Sequence, residues 1–160
     1  MPLYIAVVGG TRVGSGAALL AEEVGAEIAG RGGILVCGGG QGVMEAASKG
    51  ARDRGGTVLG ILPGNDRSGG NPYLSLAVAT GLGDARNAII ARTVDVMIAV
   101  GGGYGTLSEI ALALKMGAPV IGLKSWKVEA PERLERQIIY CSTAAAAVEA
   151  AWRAAAGRSV

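Results

Sequence analysis

The sequence predicts an α/β protein with a doubly wound parallel sheet, Rossmann-like and built in three α/β/α layers, in a single domain over residues 1–160. Short apolar runs alternate with helical patterns along the chain. Half of the 160 residues are apolar, only 4% are aromatic and phenylalanine is absent. The core must therefore consist of Val, Ile, Leu and Ala, which suit buried parallel strands covered by Ala-rich helices.

Six strands and five helices are predicted from the order of these patterns. The strands cover residues 3–8, 34–37, 57–62, 94–100, 119–123 and 137–141. One helix follows each of the first two strands, and a third covers residues 84–93. The fourth runs from the 101–106 glycine cluster through Met116. The fifth is an Ala-rich helix at the end of the chain, capped by Ser142 or Thr143. Residues 67–72 are polar and glycine-rich and predict a mobile loop, and residues 124–136 are charged and irregular.

Charge and composition exclude several classes of partner. The formal net charge is only +2, and no run of Lys and Arg occurs, so no nucleic-acid partner is predicted. Cys37 and Cys141 lie far apart in apolar runs and predict reduced, buried thiols. The chain opens without a basic leader and has no apolar stretch of membrane-spanning length, so neither secretion nor membrane insertion is predicted and the protein is expected in the cytoplasm.

The absence of histidine limits the chemistry available to this chain. A Ser-His or Cys-His nucleophile and any His-ligated metal are excluded. Carboxylates, arginine, lysine, tyrosine and hydroxyl groups remain, and the sequence predicts neither a metal nor a cofactor.

Three glycine clusters follow three of the predicted strands, at residues 9–10, 38–42 and 101–105. Right-handed crossovers bring all strand-to-helix loops to the carboxyl edge of a parallel sheet. Free amides and the helix dipole attract anions there, and glycine allows close approach. One cluster alone is better explained by left-handed turns, but three clusters on one edge favour a phosphate-binding site.

The best-known phosphate motifs do not fit. The chain has no G-x-x-x-x-G-K-S/T sequence, which argues against a P-loop nucleoside triphosphatase. The second cluster does not complete G-x-G-x-x-G, because Val43 stands at the last glycine position. The strand that follows ends at Leu62 with no acidic residue for a ribose, which disfavours a dinucleotide-dependent dehydrogenase.

Residues 102–109 (GGYGTLSE) resemble the PGGxGTxxE signature of the Lonely-guy (LOG) superfamily, long misannotated as lysine decarboxylases. Residues 38–44 (GGGQGVM) and 60–63 (GILP) are similar to its GGGxxGLM and GVIP segments. The resemblance covers roughly residues 4–123. In cytokinin-activating members, an arginine and the signature glutamate catalyse nucleoside 5′-monophosphate phosphoribohydrolysis, so the resemblance implies Arg86 and Glu109 as the catalytic pair.

Within this resemblance, Glu109 would stabilise an oxocarbenium-like sugar, and Arg86 would orient Glu109 or clamp phosphate. The alternatives are a first-turn glutamate favoured by the helix dipole and a solvated arginine or an Arg86–Asp84 salt bridge. The amides of Gly103, Gly105 and Thr106 would hold the phosphate. The full set of predicted ligand-binding residues is Gly10, Thr11, Gly39, Gly40, Asn87, Gly102, Gly103, Tyr104, Gly105 and Thr106.

Two positions depart from the LOG signature: Gly101 replaces its proline, and Arg86-Asn87 replaces an Arg-Lys pair. These features are more similar to the branch that includes the molybdenum-cofactor carrier proteins. The ligand is then a nucleoside monophosphate or a phosphorylated pterin, either hydrolysed or only carried. The resemblance also implies a homodimer or higher homo-oligomer. Trp126 and Trp152 are predicted to anchor the carboxyl-terminal segment or a subunit interface.

Overall fold

The computed structural model describes residues 1–129, 131 and 138–157. Within them, the strands are β1 (Tyr4–Gly9), β2 (Ile34–Cys37), β3 (Thr57–Leu62), β4 (Leu76–Ala79), β5 (Val96–Val100), β6 (Val120–Leu123) and β7 (Ile139–Cys141). The α-helices are α1 (Ser15–Gly30), α2 (Val43–Asp53), α3 (Asn87–Thr93), α4 (Tyr104–Met116) and α5 (Ala144–Ala156). The described strands form one all-parallel sheet in the order β4-β3-β2-β1-β5-β6-β7.

Helices cover both faces of this sheet. Alternate residues of β1 point to opposite sides, so that Ile5 and Val7 belong to one core cluster with residues of α1, α2 and α5, whereas Ala6 and Val8 belong to another with residues of α3 and α4. The central strand β5 is buried along its whole length. The predicted three-layer, Rossmann-like sheet is therefore confirmed. None of the described helices combines the length and the apolar character that crossing a membrane requires.

The predicted elements differ from the structure mainly at one sheet edge. β2 and β3 have the predicted bounds, but β4 was not predicted. It is a four-residue edge strand with Leu76 and Val78 exposed, and it follows β3 without an intervening helix, so the alternation of strands and helices did not indicate it. The predicted helix at 84–93 begins as a 3-10 turn, Gly83–Arg86, before α3. Gln137, the predicted start of β7, and residues 130 and 132–136 of the predicted irregular segment lie outside the described residues.

Helices α1 and α2 approach each other closely through a reciprocal pair of glycines. A Cβ atom at Gly25 would collide with the carbonyl oxygen of Ala47, and one at Gly50 would collide with that of Glu22. Glycine lowers helix propensity, but here it permits backbone contact between the two helices. By contrast, Gly16 in α1 has open space where a Cβ would stand.

We expect Gly25→Ala to lower the free energy of unfolding by about 1–3 kcal/mol, because the added methyl group forces two packed helices apart. Gly16→Ala is the matched control and should raise it by about 0.5–1 kcal/mol through helix propensity. Urea unfolding followed by circular dichroism measures both. Equal effects of the two substitutions would contradict the close helix contact.

Candidate functional site

A cavity of about 270 Å³ lies at the carboxyl edge of the sheet, between the loops that follow β1 and β5. These two strands are neighbours, and the order of strands runs in opposite directions from them. Such a switch point separates adjacent loops, and open α/β sheets bind their ligands there. The first turns of α2 and α4 and the turn before α3 complete the walls.

The glycine-rich loop before α4, together with the first three residues of that helix, supplies one wall of the cavity; residues 101–106 are called the α4 loop. Gly101 and Gly102 have φ angles of 56° and 108°, which L side chains rarely adopt, and a Cβ at Gly102 would collide with the Thr106 side chain. The helix starts after Gly103 with no side-chain cap. Within the described chain, no backbone acceptor pairs with the first three amides of α4, so this helix end can bind an anion.

Glu109 lies one turn into α4 and is only 7% exposed. Burial raises the pKa of its carboxyl group from 4.5 to about 7, while the charge of Arg86 acts in the opposite direction. Among the described residues, no group donates a hydrogen bond to this carboxyl. Near neutral pH Glu109 is therefore poised between its two protonation states inside the cavity.

Arg86 is held by backbone rather than by a carboxylate. Its Nη1 donates to the carbonyl oxygen of Ile61 at 2.7 Å, and its guanidinium packs so closely on Gly38 that a Cβ there would overlap it. No ion pair joins it to Asp84 or Glu109 in the described chain. Its Nε is buried without a partner among these residues, and Arg86 is one of the residues that line the cavity.

Asn87 follows directly and is 8% exposed. Its Nδ2 lies 3.5 Å from the Ser108 hydroxyl, which itself donates to the carbonyl oxygen of Gly105 at 2.8 Å. The Asn87 Oδ1 is buried with no partner in the described chain. Of all buried side-chain nitrogens and oxygens described, only this atom and Arg86 Nε are unsatisfied, and both residues line the cavity. Buried polar atoms are rarely left unpaired.

The second glycine cluster is closed by protein contacts instead. The backbone N–H of Asn71 donates to the carbonyl of Gly39 at 2.8 Å, and the Nδ2 of its side chain donates to that of Gly40 at 3.0 Å. At the start of α2, the Val43 N–H donates to the carbonyl of Gly10 at 3.0 Å. The second cluster is thus bonded on one side to the loop that contains Asn71 and, through Val43, on the other side to Gly10 of the first cluster.

The structure gathers most, but not all, of the predicted site residues. Those that line the cavity are Gly10, Thr11, Arg86, Asn87, Gly103, Gly105, Thr106 and Glu109. Those that do not line it are Gly39, Gly40, Gly102 and Tyr104. Gly9, Met44 and Asp84 line it without having been predicted. Gly9 and Asp84 adjoin predicted residues in sequence, whereas Met44 carries no polar signal that marks a site.

No group of three or more Cys, Asp or Glu side chains that would suit a metal ion occurs among the residues the structure describes. The cavity contains two acidic residues, Asp84 and Glu109, and one basic residue, Arg86. Its polar character thus comes from carboxyl groups, a guanidinium, an amide side chain and backbone amides.

The fold and site together define a Rossmann-like α/β protein with an open polar cavity at the switch point of its sheet. The chain belongs to the SLOG cluster 4 family, whose model matches residues 2–149. It is 45% identical over 122 residues, 76% of this chain and 80% of the relative, to an uncharacterized protein of Archaeoglobus fulgidus. It is 38% identical over 94 residues to the rice cytokinin riboside 5′-monophosphate phosphoribohydrolase LOG, covering 56% of this chain but 38% of the rice protein.

Two solved structures match nearly the whole chain. The molybdenum cofactor binding protein of Rippkaea orientalis superposes with a TM-score of 0.88 at 36% identity, covering 96% of this chain and 97% of that one. The molybdenum cofactor carrier protein of Chlamydomonas reinhardtii superposes with a TM-score of 0.85 at 35% identity, covering 98% and 99%. These matches confirm the resemblance to LOG proteins and to the carrier branch.

We expect the pKa of Glu109 to appear in the pH dependence of stability. Because the folded protein holds this proton more tightly than the unfolded chain, wild-type stability should fall as pH rises from about 4.5 to 7 and then level off. Glu109→Gln removes this pH-dependent loss. Its free energy of unfolding minus that of the wild type should therefore be about 2–3 kcal/mol higher at pH 8 than at pH 5. Urea unfolding at pH 5 and pH 8 measures the change.

Glu23→Gln is the matched control, because Glu23 is an exposed carboxylate on α1, outside the cavity. It should leave the difference between the two pH values unchanged. If Glu109→Gln behaves in the same way as this control, the carboxyl group is not buried as described.

Proposed function

We propose that this protein binds a phosphorylated small molecule in the cavity, with the phosphate on the amides at the start of α4. The observation that carries the proposal is the coincidence, in the lining of one cavity, of these free amides with Asn87, whose buried Oδ1 is unsatisfied among the described residues. A helix end alone attracts any anion. A buried acceptor beside it demands a second group that donates a hydrogen bond.

The charges of the cavity define the class of ligand further. The α4 amides, the Thr106 hydroxyl and the Arg86 guanidinium offer donors to phosphate oxygens. Asn87 Oδ1 requires a hydroxyl or N–H group on the ligand, which phosphate dianions lack. A nucleoside monophosphate carries both kinds of group, and so does a phosphorylated pterin. These are the two ligand classes that the relatives' names suggest.

For the enzymatic form of this function, we propose phosphoribohydrolysis of a nucleoside 5′-monophosphate. Ionised Glu109 would stabilise positive charge on the sugar as the bond from C1′ to the base breaks. The oxygen of a water molecule would then bond to C1′, and a proton of the same water would pass to the released base. The products are the free base and ribose 5-phosphate. The buried position of Glu109 one turn from the phosphate amides supports this assignment.

The second candidate is a carrier that retains its ligand without turnover. It is favoured by the nearly full-length similarity to molybdenum-cofactor binding and carrier proteins, whereas the similarity to the rice hydrolase covers 56% of the chain. The departure at Asn87 also supports it. In this case Glu109 and Asn87 would bind the ligand rather than act in bond cleavage.

Incubation with a panel of nucleoside 5′-monophosphates distinguishes the candidates. Free base is measured by chromatography, and co-purified ligand by native mass spectrometry. The hydrolase predicts base release that falls by at least about 100-fold in Glu109→Gln and persists in Glu23→Gln. A retained phosphorylated ligand without base release would identify a carrier, and neither ligand retention nor base release would contradict the proposal as a whole.

If base is released, its pH dependence should report Glu109. Because the ionised form is required, kcat/KM should rise with pH and level off above about 7, the pKa of this group in the free protein. Initial rates from pH 5 to 9 measure the profile. A rate that instead falls above pH 7 would assign Glu109 the role of a proton donor.

A further inference from the structure

The segment after β6 contacts the α4 loop from outside the cavity. The Ser125 hydroxyl donates to the carbonyl oxygen of Gly101 at 2.7 Å, and the Trp126 indole Nε1 donates to that of Gly103 at 3.0 Å. Neither side chain lines the cavity. Two carbonyl groups of a glycine-rich loop are therefore fixed by side chains from a different part of the sheet edge.

Two further contacts hold Trp126 in place. Its ring lies against Tyr104 with centroids 5.8 Å apart. Its carbonyl oxygen accepts a hydrogen bond from the Tyr140 hydroxyl at 3.0 Å, and the same hydroxyl accepts one from the Val128 N–H at 3.0 Å. Since Tyr140 belongs to β7, the indole is anchored to the sheet.

The Gly103 carbonyl lies at the start of α4, where Gly103, Gly105 and Thr106 line the cavity and Tyr104 does not. The carbonyl of Gly103 and the N–H of Tyr104 belong to one planar trans peptide, so fixing one fixes the other. The Gly103 oxygen already accepts from the Leu107 N–H at 3.1 Å within the helix start. The indole adds a second donor to this oxygen, next to Gly101 and Gly102, whose backbones are otherwise permissive.

We infer that Trp126 is a positioning residue for phosphate binding: its indole N–H fixes the Gly103–Tyr104 peptide that begins α4, so that the amides of Gly105 and Thr106, which line the cavity, face the phosphate. The inference rests on the proposed function. The affinity for the ligand has one part that comes from the phosphate and one that comes from the rest of the ligand. Trp126 affects the part that comes from the phosphate and leaves the contacts of Asn87 and Glu109 with the rest of the ligand unchanged.

The test compares AMP with adenosine, which lacks the phosphate, by calorimetry on the full chain. Trp126→Phe keeps an aromatic ring but removes the donor. It should weaken AMP binding about five-fold, the worth of one neutral hydrogen bond, and leave adenosine binding unchanged. Trp152→Phe is the matched control, because Trp152 lies on α5, outside the cavity lining. The Cζ atom of Arg31 lies over its ring, 5.7 Å from the ring centroid. This substitution should change neither affinity.

Trp152→Phe also leaves Trp126 as the sole tryptophan of the chain. Its fluorescence should then change saturably with AMP or inorganic phosphate, at the dissociation constant that calorimetry gives. Unchanged AMP affinity in Trp126→Phe, or an equal loss for AMP and adenosine, would overturn the inference. The second outcome would indicate general damage rather than positioning.

Hydrogen exchange of the Leu107 amide in the ligand-free protein separates this inference from the proposed function. Trp126→Phe should accelerate this exchange several-fold, because the carbonyl that accepts from Leu107 loses its second restraint. Faster exchange in a protein that binds neither AMP nor phosphate would refute the proposed function and the phosphate role of Trp126 together, leaving only a structural contact. Unchanged exchange would overturn the inference even if AMP binds.

Discussion

The pairing of β1 with β5 is the constraint on which the site depends. Their parallel register, which aligns Gly9 with Val100, ends both strands at the same level of the sheet. A side chain at Gly9 would overlap the carbonyl of Val100 and the side chain of Val43. The absence of a Cβ thus allows β1, β5 and α2 to meet. The cavity opens directly above this contact, where the two following loops diverge.

The two glycine loops beside this contact differ in how their polar groups are satisfied. In the loop after β2, backbone amides are bonded within the protein: the Gly39 N–H donates to Cys37 Sγ at 3.3 Å and the Val43 N–H donates to the Gly10 carbonyl at 3.0 Å. The α4 loop has its carbonyls bonded from outside by Ser125 and Trp126, which leaves its amides open. Unsatisfied donors and acceptors are thereby concentrated on one side of the switch point, together with a carboxyl group whose ionisation is opposed by burial. These features cost folding free energy and suit ligand binding.

The central strands were predictable because they are buried on both faces and form continuous apolar runs, as in β2 and β3. The edge strand β4 was not, since pairing with β3 rather than its own pattern makes it a strand. In the site, the LOG-like signature indicated Glu109 and the upstream Arg86. Met44 ends the segment that resembles GGGxxGLM, but its apolar side chain did not mark it as a site residue, and only the structure places it in the cavity lining.

The sequence by itself determined the alternation of strands and helices, the glycine clusters at the strand ends and the identity of the charged residues near them, because these depend on local periodicity and residue type. Only the tertiary structure decided which clusters remain open. Gly39 and Gly40 resemble phosphate-binding glycines in sequence, yet neither lines the cavity, and both are bonded to Asn71, which is 31 positions beyond Gly40. Likewise, the pKa of Glu109 depends on burial by elements distant in the chain. Such long-range contacts arise from the order of strands in the sheet, which no local pattern encodes.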